Sequence, residues 1–267
     1  MKRRSFVKTS LLAAALGGIA PLPARSEPDE SSKKDPPQEF YELRVYTLKT
    51  EAQGRMVEDY FEKAAIPALN RLGSKNIGVF RDMKPEGQPR VFVLIPFRSV
   101  DDFIKSGDKL LKDATYQSSA SVYLDAPAAE PAYDRIESSF LKAFRHLPKV
   151  EPPEKKQRIF ELRRYEAATE NALRKKIEMF NDAGEIDIFR RTGLTPVFFG
   201  ETLVGPMRPN LTYLLTYDDM DERDRNWKVF GSDPEWKIIS AKPEYANAKI
   251  VSRITSTFLV PAAFSQI

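Results

Sequence analysis

Two short segments carry the side chains best suited to chemistry. Phe40-Tyr41-Glu42-Leu43-Arg44-Val45-Tyr46 and Ile159-Phe160-Glu161-Leu162-Arg163-Arg164-Tyr165 each set a carboxylate, a guanidinium and a phenol at alternate positions. Alternate residues of an extended strand share a face, so Glu42, Arg44 and Tyr46 form one trio and Glu161, Arg163 and Tyr165 a second. Such a trio can fix an anionic or carbonyl oxygen through the guanidinium and donate or relay a proton through the phenol. It can also supply a base if a partly dry cavity raises the carboxyl pKa. The same spacing equally builds a buried ion-pair network that fixes how two sheets dock, with no catalysis. Trp227 and Trp236 are candidates for aromatic lining of a ligand site, or for packing between helix and sheet.

Composition excludes much else. There is no cysteine, so thiol nucleophiles, disulfides, cysteine-held zinc and iron–sulfur clusters are absent. The one histidine, His146, sits in a Pro- and Lys-rich stretch and reads as a solvated linker residue. The acids Asp218, Asp219, Asp221, Glu222 and Asp224 lack calcium-loop spacing and stand where a helix begins and favours negative charge. No metal or cofactor is expected. The formal charge of +4 comes from 42 basic and 38 acidic residues. Four of the basic ones, Lys2, Arg3, Arg4 and Lys8, lie in the first 24 positions, so the rest of the chain is neutral and a nucleic-acid partner is not expected.

Residues 1–24 have a basic start, Arg3-Arg4-Ser5-Phe6-Val7-Lys8, an apolar run from Leu11 to Ala20, and Ala24 where cleavage could fall. The paired arginines with Phe6 and Lys8 resemble a twin-arginine export signal, which implies the export machinery as a partner and a periplasmic or extracellular location. The run is too short to span a bilayer, so no stable membrane span is expected after the signal is removed. Residues 25–38 read as a disordered spacer.

The two trios belong to an internal repeat. Glu42 and Glu161 are 119 residues apart, and one insertion later the spacing becomes 120 and pairs Gly73 with Gly193, Pro89 with Pro209, Asp101 with Asp221, Asp113 with Asp233 and Tyr116 with Trp236. A period this long marks a duplicated domain. Each copy reads strand, helix, two strands, helix, strand, with strands near 40–48, 76–83, 90–97 and 132–142 in the first and 159–166, 195–203, 210–217 and 248–260 in the second. Gly73 and Gly193 fit helix C-caps. Pro67 predicts a kink in the first helix, and its counterpart Asp187 none. Ser232-Asp233-Pro234-Glu235 has the spacing that starts a short helix carrying Trp236.

The order βαββαβ is ferredoxin-like, and such a unit leaves one sheet face bare. The predicted fold is therefore α+β, with units at 39–142 and 159–262 joined by a linker at 143–158 into an intramolecular dimeric α/β barrel with helices outside. Alternation then suggests that Leu43 and Val45 lie under the helices and that both trios line the barrel interior.

Tyr-Glu-Leu-Arg-Val-Tyr, its echo Phe-Glu-Leu-Arg-Arg-Tyr, and the stretch from Trp227 through Phe230 to Asp233-Pro234-Glu235-Trp236 resemble NIPSNAP-family domains, over both copies. The resemblance implies the dimeric α/β-barrel group and assigns no reaction. The expectation for function is an exported protein binding a small molecule in the barrel interior, as a cofactor-independent enzyme if it is catalytic, with homo-oligomers compatible. The alternative is a non-catalytic protein–protein interaction module of the cell envelope.

Overall fold

The structure, a computed structural model, describes residues 36–267. The segments expected to be an export signal, 1–24, and most of the expected spacer, 25–38, lie outside the described residues. Each trio sits on a strand, β1 (Phe40–Thr47) and β5 (Ile159–Glu166). A threonine then caps the next helix. Thr50 accepts from the Gln53 N–H at α1 (Glu51–Tyr60), and Thr169 from the Ala172 N–H at α5 (Glu170–Asn181).

In the first copy the helix runs through a π-helical turn, Phe61–Ala65, into α2 (Ile66–Arg71). Pro67 falls in the first turn of α2, so the expected disturbance takes the form of that wide turn. The second copy departs from expectation. Its helix is interrupted, because Gly184 at φ 90° adopts a left-handed conformation that a helix interior does not hold, and α6 (Glu185–Arg191) starts afresh. Gly73 and Gly193, at φ 99° and 84°, terminate α2 and α6.

The hairpins follow as β2 (Gly78–Asp82) with β3 (Arg90–Phe97), and β6 (Thr195–Val204) with β7 (Asn210–Tyr217). Then come α3 (Val100–Leu111) and α4 (Ala114–Leu124), capped by Ser99 and Asp113, and α7 (Met220–Ser232) and α8 (Pro234–Ser240), capped by Asp219 and Asp233. A 3-10 turn (Pro243–Tyr245) and α9 (Asn247–Ile250) follow in the second copy, and β4 (Arg135–Ala143) and β8 (Arg253–Pro261) close the units. His146 is exposed.

Every strand pairing is antiparallel, and the order β1-β3-β2-β8-β5-β7-β6-β4 forms a closed barrel. Within the halves the orders are β4-β1-β3-β2 and β8-β5-β7-β6, joined at two seams, β4 with β6 and β2 with β8. Three apolar clusters result. One in each half fills the space between sheet and helices, around Tyr46, Phe61 and Val93 in the first and around Tyr165, Phe180 and Phe199 in the second. The third, shared by both halves, fills the barrel with Tyr41, Phe80, Phe92, Phe160, Phe198 and Leu214, and Leu43, Val45 and Leu162 pack against it.

That placement corrects the expected facing. Glu42, Arg44, Tyr46, Glu161, Arg163 and Tyr165 lie on the helix side of the sheet, and the intervening leucines and valine point into the barrel. An eight-stranded barrel encloses a space that its own side chains must fill, and most of that space goes to large apolar groups. The helix side can satisfy polar groups because helices bring side-chain donors to it and because its margin reaches water at Ser138 and Ser256, both exposed.

Candidate functional site

In the second half the trio is saturated. Glu161 Oε1 accepts from Arg163 Nη1 at 2.5 Å, Ser256 Oγ at 2.7 Å and Arg223 Nη2 at 3.1 Å. Its Oε2 accepts from Trp227 Nε1 at 3.1 Å, Arg223 Nε at 3.2 Å and the Tyr217 hydroxyl at 3.3 Å. Burial alone would raise this carboxyl, but Arg223, Arg163 and Ser256 outweigh it and hold the pKa at about 2. Glu161 is thus an ionised anchor and too weak a base for proton abstraction near neutrality.

Arg163 is bound as tightly. Its Nε donates to the Tyr213 hydroxyl at 2.8 Å and its Nη2 to the Tyr165 hydroxyl at 3.1 Å, and the indole of Trp227 lies 4.6 Å from the guanidinium carbon. Deeper in the same layer Lys176 and Glu185 form a buried ion pair at 2.8 Å, with the ammonium 4.4 Å from the Phe180 ring and 5.7 Å from that of Trp236. Neither tryptophan reaches the barrel interior. Trp227 packs on Phe189 and Phe230, and Trp236 on Phe230.

The first half keeps the trio with fewer partners. Glu42 accepts a bidentate pair from Arg44, both bonds 2.8 Å, and one bond from Ser138 Oγ at 2.8 Å. Tyr46 accepts from the Tyr123 hydroxyl at 3.3 Å, and Tyr123 stacks on Tyr60 at 3.9 Å. The structure therefore gathers each trio into an ion-pair cluster under the helices, and the two clusters lie apart on opposite halves.

The barrel interior holds a different set of polar groups. A cavity of about 140 Å³ is lined by Leu43, Val45, Arg90, Phe92, Glu137 and Ser139 of the first half and by Leu162, Arg164, Asn210, Thr212, Thr255 and Thr257 of the second, with Pro206 at its side. These are six equivalent pairs: 43 with 162, 45 with 164, 90 with 210, 92 with 212, 137 with 255 and 139 with 257. The cavity thus straddles the line that relates the two halves. Its charges are unequal between the halves, since Arg164 corresponds to Val45, Arg90 to Asn210 and Glu137 to Thr255. Arg90 is held by Asp82 through two bonds of 2.7 and 3.0 Å. Arg164 engages Glu166 through Nε alone, at 3.3 Å. Glu137 is exposed, and its side chain makes no hydrogen bond or ion pair among the described residues. A cleft of about 680 Å³ adjoins this space and shares Arg90, Thr255 and Thr257 with it.

Sequence reasoning singled out none of Arg90, Glu137, Arg164 and Arg223. One signal was present, for Arg90 alone: β3 reads Arg-Val-Phe-Val-Leu-Ile-Pro-Phe, a nearly unbroken apolar run that means burial on both faces and leaves its charge at the strand end. Among the described residues no group of acids and histidine is placed to hold a metal ion.

Comparison with known proteins agrees with the architecture. The NIPSNAP family model matches residues 41–148 and 160–266. A protein from Fusobacterium nucleatum with a provisional monooxygenase description superposes with a TM-score of 0.54 at 11% identity, over 84% of this chain and 92% of its own. One from Lactobacillus acidophilus with a similar description gives 0.53 at 11%, over 84% and 94%. An uncharacterized NIPSNAP-like domain protein from Burkholderia xenovorans is 24% identical over 42% of this chain and 90% of its own, with a TM-score of 0.37. At such identities the likeness to solved structures concerns the fold alone. No curated protein matches. With both halves matched, the chain belongs to the NIPSNAP family and carries two NIPSNAP domains in tandem.

Proposed function

We propose that this NIPSNAP protein is exported by the twin-arginine route and binds, in the barrel cavity, a small polar molecule that carries both an acidic and a basic or hydroxylic group. The observation that carries the reading is the unequal lining of a cavity shared by both halves. Arg164 has guanidinium N–H groups to spare for an acidic group, Glu137 is a carboxylate without a partner, and Thr212, Thr255 and Thr257 offer hydroxyls between them. A cavity of about 140 Å³ holds on the order of ten water-sized groups, which suits a molecule of amino-acid or hydroxy-acid size. The reading is of a binding protein, because what the lining offers is charge and hydroxyl partners for a ligand.

The test is thermal unfolding of the mature protein against a panel of amino acids, hydroxy acids and dicarboxylates. A ligand at a hundred times its Kd should raise Tm by roughly 5–10 °C, and Arg164→Ala should remove the shift. A panel without effect, or a shift that survives Arg164→Ala, would refute the assignment. For export, replacing Arg3 and Arg4 together by lysine should leave the full chain in the cytoplasm on cell fractionation. Unchanged export would overturn that part.

A further inference from the structure

The seam between β2 and β8 closes over part of its length only. Phe80, Arg81 and Asp82 pair with Pro261, Val260 and Leu259, and the Met83 N–H donates to the Phe258 carbonyl at 2.8 Å. There the first-copy chain leaves the seam for its hairpin loop, whereas β8 extends five residues further, back to Arg253, paired with β5 alone. In an antiparallel strand each residue turns its N–H and C=O to one side, and successive residues alternate. The Ala262 N–H donates to the Val79 carbonyl and the Phe258 carbonyl accepts from Met83, so the even-numbered positions along β8 face β2. The N–H and C=O of Ser256 and Ile254 therefore point across the open part of the seam, where no strand among the described residues meets them.

The cleft of about 680 Å³ lies along this edge. Its lining includes Thr255, Ser256, Thr257 and Phe258, four consecutive residues of one strand. A space over one face of a strand meets only alternate residues, so a run of four means that the cleft follows the strand's edge. The hairpin, through Met83, Lys84 and Glu86, forms the facing wall. Walled on both sides, the cleft is shaped for a single extended chain rather than for the edge of a second sheet.

Its two rims differ. Met83, opposite Phe258, and Met220 at the start of α7 make the helix-side rim apolar, whereas Arg90, Thr255 and Thr257, which also line the barrel cavity, make the other polar. An unpaired edge is where a further strand can add, with backbone bonds giving affinity and alternate side chains giving specificity.

We infer that the open edge of β8 takes an extended peptide as an added strand, antiparallel to β8 in continuation of β2. Its apolar side chains lie toward Met83, Met220 and Phe258, and hydroxylic ones toward Thr255 and Thr257. The free stretch from Phe258 to Arg253 is about 17 Å long, which suits about five peptide residues. Residues opposite Ser256 and Ile254 exchange backbone bonds with β8, and these carry the apolar side chains, since paired residues share a face.

The probe is acetyl-Lys-Thr-Leu-Thr-Leu-Thr-amide with a dye on its lysine, read by fluorescence anisotropy. Saturable binding to the mature protein is expected. N-methylation of the two leucine amides should weaken it about tenfold or more, and N-methylation of the threonine amides should leave it within about twofold. Ile254→Pro removes an N–H that faces the cleft, a change that an edge strand tolerates, and should weaken binding about tenfold. Met220→Glu, in the first turn of α7 where an acid suits the helix, should weaken it by removing the apolar rim. Should Ile254→Pro not fold, the two methylated peptides and Met220→Glu decide the matter. No saturable binding, or equal loss from both sets of methyl groups, would overturn the inference. A wild-type dimer that Ile254→Pro dissolves, with no peptide bound, would give the edge to a second copy and overturn it as well. Neither Arg164 nor Glu137 lines the cleft, so failure here and failure of the barrel assignment are separate results.

Discussion

Glu161 shows most sharply how one residue type takes a role from its surroundings. Its carboxylate is fully buried with six hydrogen bonds and a pKa of about 2 against an ordinary 4.5. A folded-state pKa below the unfolded one contributes stability that is complete above about pH 4.5 and is lost as pH falls toward 2. The contribution at neutral pH is about 3 kcal/mol. Urea unfolding between pH 7 and pH 3 should show that loss in the wild type and a much flatter profile in Glu161→Gln. At pH 7 the substitution should cost about 3–5 kcal/mol, because it leaves Arg163 and Arg223 without their counter-charge. Glu42→Gln, with two partners rather than five residues around it, should cost clearly less. The residue types in these trios were legible in the sequence, and so was the alternative that they form ion pairs. Their partners were not: Arg223 and Trp227 lie 62 and 66 residues further along the chain, and only the packing of α7 over β5 brings them in.

At the scale of elements, strands, caps and hairpins followed local rules, whereas the facing of β1 and β5 did not. Alternation in Glu-Leu-Arg-Val-Tyr separates two sets without saying which one the helices cover, and in a closed barrel both sides are interior. What decides it is that the helices bring hydrogen-bond partners such as Tyr123, Arg223 and Trp227 to the side of the trios, whereas the barrel side is filled mainly by large apolar groups. The break in the second-copy helix was also hidden, since Gly184 sits at an apolar-periodic position and looks like a tolerated helical glycine. It is instead a left-handed hinge at φ 90° with no atom within 4 Å of a built Cβ. Gly184→Ala should therefore cost about 1 kcal/mol from backbone strain alone. Gly205, at φ 144°, has Ser139 Oγ 2.7 Å from a built Cβ, so Gly205→Ala should cost more. Thermal unfolding of the two variants gives the comparison, and equal costs would contradict it.

The molecule as a whole is two copies of one unit that share a single interior. Tyr41, Phe80 and Phe92 of one half pack with Phe160, Phe198 and Leu214 of the other, and both seams are hydrogen-bonded. Unfolding should be one cooperative transition with coincident fluorescence and circular-dichroism curves, and two resolved transitions would contradict the shared core. The repeat was legible because duplicated positions keep their spacing, and it led directly to the barrel. The asymmetry of the cavity lining was not legible, because it depends on which members of each equivalent pair face the cavity. A site on the axis of a true homodimer must be symmetric, but fusion of the copies frees each half to diverge. Here Arg164 takes the position of Val45, and Thr255 that of Glu137, so the two halves line the cavity with unlike groups. Among the described residues no helix is long and apolar enough to cross a membrane.

Crystals of the mature protein soaked with the panel compound that most raises Tm test the barrel assignment most directly. The prediction is ligand density inside the barrel, with its acidic group on Arg164 and its other polar end toward Glu137. Density at Glu42–Arg44 or Glu161–Arg163 with an empty barrel would contradict it.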